Sequence, residues 1–123
     1  MSETVGARLA QAIAAQDEAA IAECFCRDAT FRALTPSGLR ERAGADDVAA
    51  LIAAWFGDST VIDLVDTRTD EVGGRLQVTY RFEGVEKGEP YVVQQELFCT
   101  LDAGKIAAAD LLCSGFLPRA PAG

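Results

Sequence analysis

The sequence predicts an α+β protein in which three N-terminal helices pack in a strongly curved, mainly antiparallel sheet. Apolar residues recur every three or four positions in three stretches up to residue 56, as they do along one face of a helix. From residue 60 onward, apolar and polar residues alternate as they do along strands, with glycines between several of the runs. Helices followed by strands indicate segregated elements, and a sheet curled around helices forms a cone-like roll with an internal pocket.

The first two helices are short, and each has a candidate N-cap. The first helix has an apolar stripe with a four-residue spacing, Val5, Leu9 and Ile13, and Ser2 is its expected cap. The second helix follows Asp17, which is expected to cap it, and its apolar residues are Ile21, Cys24 and Phe25.

Asp46 or Asp47 is expected to cap the third helix, and Gly57 is its expected stop. Its apolar residues have the spacing i, i+3, i+4, i+7: Val48, Leu51, Ile52 and Trp55.

The remaining chain alternates between strands and turns. The predicted strands are residues 29–34, 39–42 (an edge strand), 60–69, 76–83, 92–101 and 106–116. Residues 35–38 are expected to be a turn, and residues 84–90 a polar loop. The last two strands form a hairpin with Ala103 and Gly104 at its tip. The sequence thus predicts a single domain over residues 1–117, followed by a flexible tail over 118–123 that contains Pro118 and Pro121.

Composition excludes several classes of function. The net charge of -8 argues against nucleic acid or an anionic membrane as a partner, because both require a basic face. No apolar run is long enough to span a bilayer, and the first residues do not resemble a signal peptide, so the cytoplasm is the expected location.

The chain has no histidine, which excludes Ser-His and Cys-His nucleophiles and histidine-ligated metals. Of the four cysteines, Cys24 and Cys26 have a spacing that is poor for metal binding, and all four are expected to be structural. No metal and no cofactor is predicted.

Several short motifs resemble a known family. The run from Phe25 to Phe31 (FCRDATF) resembles the pattern F-x-x-D-A-x-F that joins helix to first strand in the nuclear transport factor 2-like superfamily. The third helix ending in Trp55-Phe56, the turn at Gly104-Lys105 and the closing strand over 112–116 resemble its SnoaL-like bacterial branch. The resemblance covers residues 3 to 117. It implies a curved sheet wrapped on helices, a deep pocket, and a homodimer packed through the outer sheet faces.

The superfamily includes steroid isomerases, polyketide cyclases, dehydratases and epoxide hydrolases. Laid on this chain, the general base of the isomerases falls on Ala33 and their tyrosine falls on Leu9, so only the acid position is met, by Glu96. The histidine of the dehydratases is missing. The aspartate that cyclases and epoxide hydrolases carry on the last strand is closest to Asp110, which is offset by one residue and is expected to point away from the pocket.

The predicted pocket depends on the register of the closing hairpin. With a two-residue tip, Glu96 is opposite Leu111 and Phe98 is opposite Ala109, and cross-strand partners share a face. Both faces of the hairpin are too apolar for open solvent, and the resemblance implies that the Glu96 face is the inner one. The pocket is then expected to be lined by Trp55, Phe56, Tyr80, Phe82, Gln94, Glu96, Phe98, Leu111 and Cys113. The other face, which carries Gln95 together with the apolar Leu97, Cys99, Ala108 and Leu112, is expected to form a homodimer interface.

Two interpretations of Glu96 stay open. In an apolar pocket its neutral form would be favoured, so that it could act as a general acid or donate a hydrogen bond to a developing oxyanion. Alternatively, Arg81 or Gln94 satisfies it near the edge of the strand. Tyr80 is a ligand contact or simply a core aromatic residue, and nothing near Cys113 would activate it as a nucleophile.

Two functions follow from this pattern. The first is binding of an apolar or aromatic small molecule in the pocket, with a possible isomerase, cyclase or hydrolase activity that uses a carboxylate. The second is a non-catalytic dimeric scaffold or interaction module whose cavity is vestigial. The two missing proton-transfer residues favour binding over catalysis, and the residues do not identify the ligand.

Overall fold

The computed structural model describes residues 4–119 and confirms the predicted fold class. The helices are α1 (Val5–Ala14), α2 (Glu18–Glu23) and α3 (Ala45–Trp55). The strands are β1 (Phe25–Thr35), β2 (Gly38–Ala43), β3 (Ser59–Val72), β4 (Arg75–Glu86), β5 (Glu89–Asp102), β6 (Lys105–Cys113) and β7 (Leu117–Pro118). All seven strands belong to one strongly curved sheet.

The order of strands in the sheet is β2-β1-β6-β5-β4-β3, and β7 pairs with β5. Only the contact between β1 and β6 is parallel among the pairings in residues 4–119, so the sheet is mainly antiparallel, as predicted. The β1–β6 pairing joins an early strand to a late one. Helix α1 packs against β3 and β4, and α3 packs against β1 and β2.

The first two helices agree with the periodicity of the sequence. The stripe of α1 is buried, and the Thr4 side chain caps the helix by accepting from the backbone N of Ala7 at 3.0 Å. Ser2, the predicted cap, lies outside the described residues. Asp17 caps α2 as predicted, because its carboxylate accepts from the N of Ala20 at 3.1 Å.

The third helix begins at Ala45, two residues earlier than a cap at Asp46 would place it and three earlier than a cap at Asp47 would. Gly44 is the residue before it, with a φ of 93° that glycine adopts readily, and its N donates to the carbonyl of Ala29 at 2.8 Å. Asp46 and Asp47 therefore lie in the first helical turn instead of capping it. Their negative charges are favourable there because the N-terminal end of a helix is partly positive.

The predicted loop over 84–90 is wrong. β4 continues to Glu86 and β5 starts at Glu89, so the connection is a two-residue turn at Lys87 and Gly88, both with positive φ. This geometry is the one that matches the twist of a tight hairpin. The flexible tail predicted from residue 118 is also wrong at its start, because Pro118 pairs with Tyr91 in β7. Residues 120–123 lie outside the described range.

The β5–β6 hairpin has the predicted tip but not the predicted register. Asp102 pairs with Lys105 and Leu101 with Ile106, but Thr100 then pairs with Ala108, which leaves Ala107 as an extra residue. This bulge shifts every later pair by one position on β6. Glu96 pairs with Leu112 and Phe98 with Asp110, so the predicted pairings with Leu111 and Ala109 are wrong.

The alternation of β5 decides which of its residues face the helices. Its buried positions are Tyr91, Val93, Gln95, Leu97 and Cys99. Leu97 and Cys99, predicted to lie on the outer face, are fully buried in the core instead. In the described part of the chain, no helix is long and apolar enough to cross a membrane.

Candidate functional site

A small polar cluster lies inside the largely apolar core, on three neighbouring strands of the sheet. Tyr80 on β4 pairs with Gln95 on β5, which pairs with Cys113 on β6. The Tyr80 hydroxyl donates to Oε1 of Gln95 at 2.6 Å, and Nε2 of Gln95 donates to Sγ of Cys113 at 3.5 Å. Tyr80 and Gln95 have no exposed surface at all. This cluster is the candidate site.

The two hydrogen bonds of the Gln95 amide differ in strength. The bond from Tyr80 is short and joins two good hydrogen-bonding groups, whereas a thiol sulfur is a weak acceptor. The amide nitrogen of Gln95 is therefore a buried donor whose partner is poor. An incoming carbonyl or hydroxyl oxygen would be a better acceptor for it than the sulfur.

Aromatic rings continue from the polar cluster to the end of the sheet. The Tyr80 ring lies 5.1 Å from that of Phe82, which lies 5.4 Å from that of Phe56. Phe116 then contacts Phe56 at 5.2 Å and Tyr91 at 5.0 Å. These rings cover one side of the cluster and make its surroundings apolar.

Burial keeps the titratable side chains of the core in their neutral forms. Desolvation raises the pKa of Tyr80 well above its usual value, so its hydroxyl stays a hydrogen-bond donor. Desolvation also raises the pKa of the Cys99 thiol to about 12, with a further increase from the charge of Asp110. The buried polar residues among 4–119 are Ser59, Thr79 and Gln95, and none of them carries a charge.

Of the residues predicted to line the pocket, those outside β5 are in or against the core. The buried ones are Phe56, Tyr80, Phe82, Leu111 and Cys113. Trp55 is partly buried, with its ring 6.3 Å from that of Phe31.

The predicted residues of β5 lie on the other side of the sheet. Glu96 is on the strand face that also carries Phe98, which is 40% exposed, and Gln94, whose Oε1 accepts from Nε of Arg81 at 3.0 Å. The expectation that Glu96 faces the interior is therefore wrong. Glu96 pairs with Thr79 on β4, so it lies on the opposite face from Tyr80 and Gln95. The bulge at Ala107 places the buried Leu111 opposite Leu97 instead of Glu96.

The positions that the isomerases use for proton transfer are apolar and closed. Leu9 and Ala33 are fully buried. Asp110 lies on the outer face, where its carboxylate accepts from Nε of Arg32 at 3.0 Å, and both side chains are more than half exposed. The structure thus brings no carboxylate of these positions to Tyr80.

The residue that the sequence analysis missed is Gln95. It was placed on the outer face with Leu97 and Cys99, because the pocket face was chosen by the resemblance. The signal that indicates otherwise is the alternation itself, since positions 91, 93, 95, 97 and 99 are apolar except for the glutamine. A single polar residue in such a row marks a buried hydrogen bond.

Other cavities lie elsewhere on the molecule. Five cavities of about 150 to 680 Å³ are lined by residues of the helices, the strand ends and the β1–β2 hairpin, and none of the five is lined by Tyr80, Gln95 or Cys113. Phe56 borders the smallest, beside Ile13. Within residues 4–119, no group of three or more acidic or cysteine side chains could hold a metal ion.

Comparison with known proteins identifies the fold. A protein with a ketosteroid isomerase-like fold from Catenulispora acidiphila, solved in complex with trimethylamine, is 15% identical, with a TM-score of 0.74 over 90% of this chain and 85% of that one. A candidate polyketide cyclase from Silicibacter is 18% identical, with a TM-score of 0.71 over 90% and 87%. Another from Xanthomonas campestris is 19% identical, with a TM-score of 0.70 over 88% and 86%.

At these identities the solved structures show the shared fold. No protein of curated function matches the chain. The model of the SnoaL-like domain matches residues 7–109, which is most of the sequence. The chain therefore belongs to the SnoaL-like domain family.

Proposed function

We propose that the protein binds a small, largely apolar, neutral molecule inside the curved sheet, next to Tyr80 and Gln95. The observation that carries this proposal is the Gln95 amide, which is fully buried and donates only to a thiol sulfur at 3.5 Å. A ligand with one hydrogen-bond acceptor, such as a carbonyl, would replace that weak bond with a stronger one.

The neutral surroundings favour a neutral ligand. No Asp, Glu, Lys or Arg side chain is buried among residues 4–119, so a charged ligand would lose its hydration without gaining a partner. The aromatic rings of Phe56, Phe82 and Phe116 favour an apolar or aromatic body. Solved relatives by fold include candidate polyketide cyclases and a candidate isomerase, which agrees with a small-molecule site.

Binding without carboxylate catalysis is the form of this function that we favour. The isomerase positions are occupied by Leu9 and Ala33, and Glu96 lies on the outer face. An isomerase, cyclase or hydrolase step that uses a carboxylate would need such a group beside the ligand.

We also propose a homodimer formed through the outer face of β1, β6 and β5. Leu34 is 52% exposed and Leu112 is 53% exposed, and the two are paired across adjacent strands beside Phe98. Apolar side chains grouped in this way are typical of an interface. This patch is the observation that favours the second candidate function, a dimeric scaffold. The cysteines among residues 4–119 are unpaired, which agrees with a cytoplasmic protein.

The binding proposal is tested with Prodan, a neutral fluorescent naphthyl ketone whose emission shifts to the blue in apolar surroundings. Titration of the protein should give a saturable blue shift. The Gln95→Met variant, which keeps the length of the side chain but removes its amide, should bind Prodan about 3- to 10-fold more weakly, as expected for one lost hydrogen bond. If Gln95→Met alone does not fold, the Tyr80→Phe/Gln95→Met double variant replaces it, because it also removes the Tyr80 hydroxyl that would otherwise be buried without a hydrogen bond.

Gln94→Met is the matched control, because Gln94 is the neighbouring residue but lies on the outer face. It should bind Prodan as the wild type does. Absence of a saturable shift with the wild type, or equal affinity in the Gln95 and Gln94 variants, would overturn the proposal. If the shift is absent but the protein is dimeric, the scaffold function is favoured.

A further inference from the structure

The chain after β6 folds back across the end of the sheet where β6 stops and β5 begins. Residues 114–119, which we call the strap, leave Cys113 at a turn through Gly115 and then run beside Tyr91 and Val92 as β7. We propose that the strap is a gate that controls access to the Gln95 end of the interior, with Phe116 as its plug. The proposal rests on the proposed function for the identity of the site, but the motion is measurable without any ligand.

Phe116 is the part of the strap that closes the interior. Its ring packs edge-on against the rings of Phe56 and Tyr91, at 5.2 and 5.0 Å. Phe56 in turn contacts Phe82, next to Tyr80. Removal of Phe116 therefore uncovers the row of rings that leads to the polar cluster.

The strap is connected to the cluster through Cys113. The backbone N of Gly115 donates to Sγ of Cys113 at 3.4 Å, and the same sulfur accepts from Nε2 of Gln95. Cys113 is only 8% exposed. When Phe116 and β7 leave, the thiol of Cys113 meets solvent. Because the sulfur is shared, strap position and the environment of the Gln95 amide are linked.

The attachments of the strap are few and lie mostly near its two ends. At the first end, Ser114 exchanges two hydrogen bonds of 2.9 Å with the backbone of Gln94, one through its N and one through Oγ. At the other end, Arg119 donates from its N to Pro90 at 3.2 Å and pairs with Glu83 at 3.6 Å, where both side chains are partly exposed. Exposed ion pairs of this kind contribute little. Between them, β7 is only two residues long.

Gly115 is suited to be the hinge of this motion. Its φ of 88° lies in the left-handed region that favours glycine. A Cβ at this position would lie 2.8 Å from Cγ of Pro36, so no larger residue fits the closed form. The two Ser114 hydrogen bonds hold the chain on one side of the hinge, which leaves Phe116 and β7 free to move as a unit. Local openings of weakly attached segments are common in folded proteins.

The test measures alkylation of single thiols by iodoacetamide, in the absence of ligand. Trypsin cleavage after Lys87, Lys105 and Arg119 gives separate peptides for Cys99 and Cys113, so mass spectrometry follows each thiol in one experiment. Cys99 is the internal control, because it is fully buried on the same side of the sheet and pairs with Ala109, away from the strap.

The Phe116→Ala variant should raise the rate at Cys113 about tenfold, because two aromatic contacts that hold the strap closed are lost. The rate at Cys99 should not change. Arg119→Glu, which places two acidic groups together at Glu83, should give a smaller rise confined to Cys113. Phe116→Leu, which keeps an apolar plug, should restore most of the protection.

Two results would overturn the gate. One is an unchanged rate at Cys113 in both variants, and the other is an equal rise at Cys99 and Cys113, which indicates opening of the whole core. Failure of the proposed function is seen separately, as the absence of Prodan binding to wild type and Phe116→Ala alike. If both proposals hold, saturating Prodan slows the alkylation of Cys113, and Phe116→Ala speeds the binding of Prodan.

Discussion

The Tyr80 hydroxyl donates a 2.6 Å hydrogen bond to Oε1 of Gln95 in a part of the core from which water is excluded. The two residues are directly opposite each other on β4 and β5. A buried polar group without a hydrogen-bond partner destabilises the fold, and each of these two side chains supplies the partner of the other. The pair thus links two strands in register and also places a hydrogen-bonding position in the interior, between three strands.

The first prediction concerns this pair. Tyr80→Phe removes the donor and leaves Oε1 of Gln95 buried without it, so the free energy of unfolding should fall by about 1–3 kcal/mol. The double variant Tyr80→Phe/Gln95→Leu removes both polar groups and should lose less than the sum of the two single changes. Urea denaturation of the four proteins measures this coupling.

Gln94→Leu is the control for that cycle, since its side chain bonds Arg81 on the outer face. It should change stability by less than about 0.5 kcal/mol. Strict additivity of the Tyr80 and Gln95 changes would mean that their hydrogen bond contributes nothing to stability.

The helices and strands were predictable because each has a characteristic spacing of apolar residues along the sequence. The stripes Val5, Leu9, Ile13 and the alternation of β4 needed no long-range information. The bulge at Ala107 was not predictable in the same way, because residues 106–109 read Ile-Ala-Ala-Ala and small apolar residues fit either face. One inserted residue changed the partner of Glu96 from Leu111 to Leu112. The tight turn at Lys87 was not predicted, because the polar residues around it are typical of a longer loop.

The second prediction concerns pH. Burial raises the pKa of the Cys99 thiol to about 12, whereas a thiol in the unfolded chain has a pKa of about 8.5. The unfolded state therefore loses this proton first, and stability falls as pH rises above the unfolded value. Between about pH 8.5 and pH 10 this one group should lower the free energy of unfolding by about 2 kcal/mol.

The Cys99→Ala variant lacks the thiol, so its loss of stability over the same pH range should be smaller by about that 2 kcal/mol. Cys26→Ala, at a cysteine that is only partly buried, is the matched control and should keep the steep loss of the wild type. Urea denaturation at the two pH values measures both. Parallel curves for Cys99→Ala and the wild type would contradict the assignment.

The third prediction concerns the contact of α1 with the sheet. A Cβ on Gly6 would lie 2.8 Å from Cγ2 of Val78 and 2.9 Å from Oγ1 of Thr69. Gly6→Ala should therefore destabilise the protein by about 1–3 kcal/mol through overpacking, although alanine favours helix formation. Gly57→Ala, where the nearest atom would be 3.5 Å away, should have little effect in the same thermal melts. A stabilised Gly6→Ala would show that α1 packs less closely on β4.

The fourth prediction concerns the outer face and the homodimer. Leu34 and Leu112 are paired on β1 and β6, and both are more than half exposed in the single chain. If the dimer forms through this face, Leu112→Glu places a charge in the interface, next to Asp110 and Glu96. Sedimentation velocity at micromolar concentration should then show a folded monomer, whereas the wild type sediments as a dimer.

Leu97→Glu is the matched comparison, because Leu97 occupies the same strand pairing region but points into the core. A carboxylate at this fully buried position would have no hydrogen-bond or ion-pair partner. This variant should therefore lose the cooperative thermal unfolding of a folded protein, and not only the second subunit of the dimer. Circular dichroism separates the two outcomes. A folded, monomeric Leu97→Glu beside a dimeric Leu112→Glu would mean that the two faces of β5 are exchanged relative to this structure, and a monomeric wild type would refute the dimer whatever the variants do.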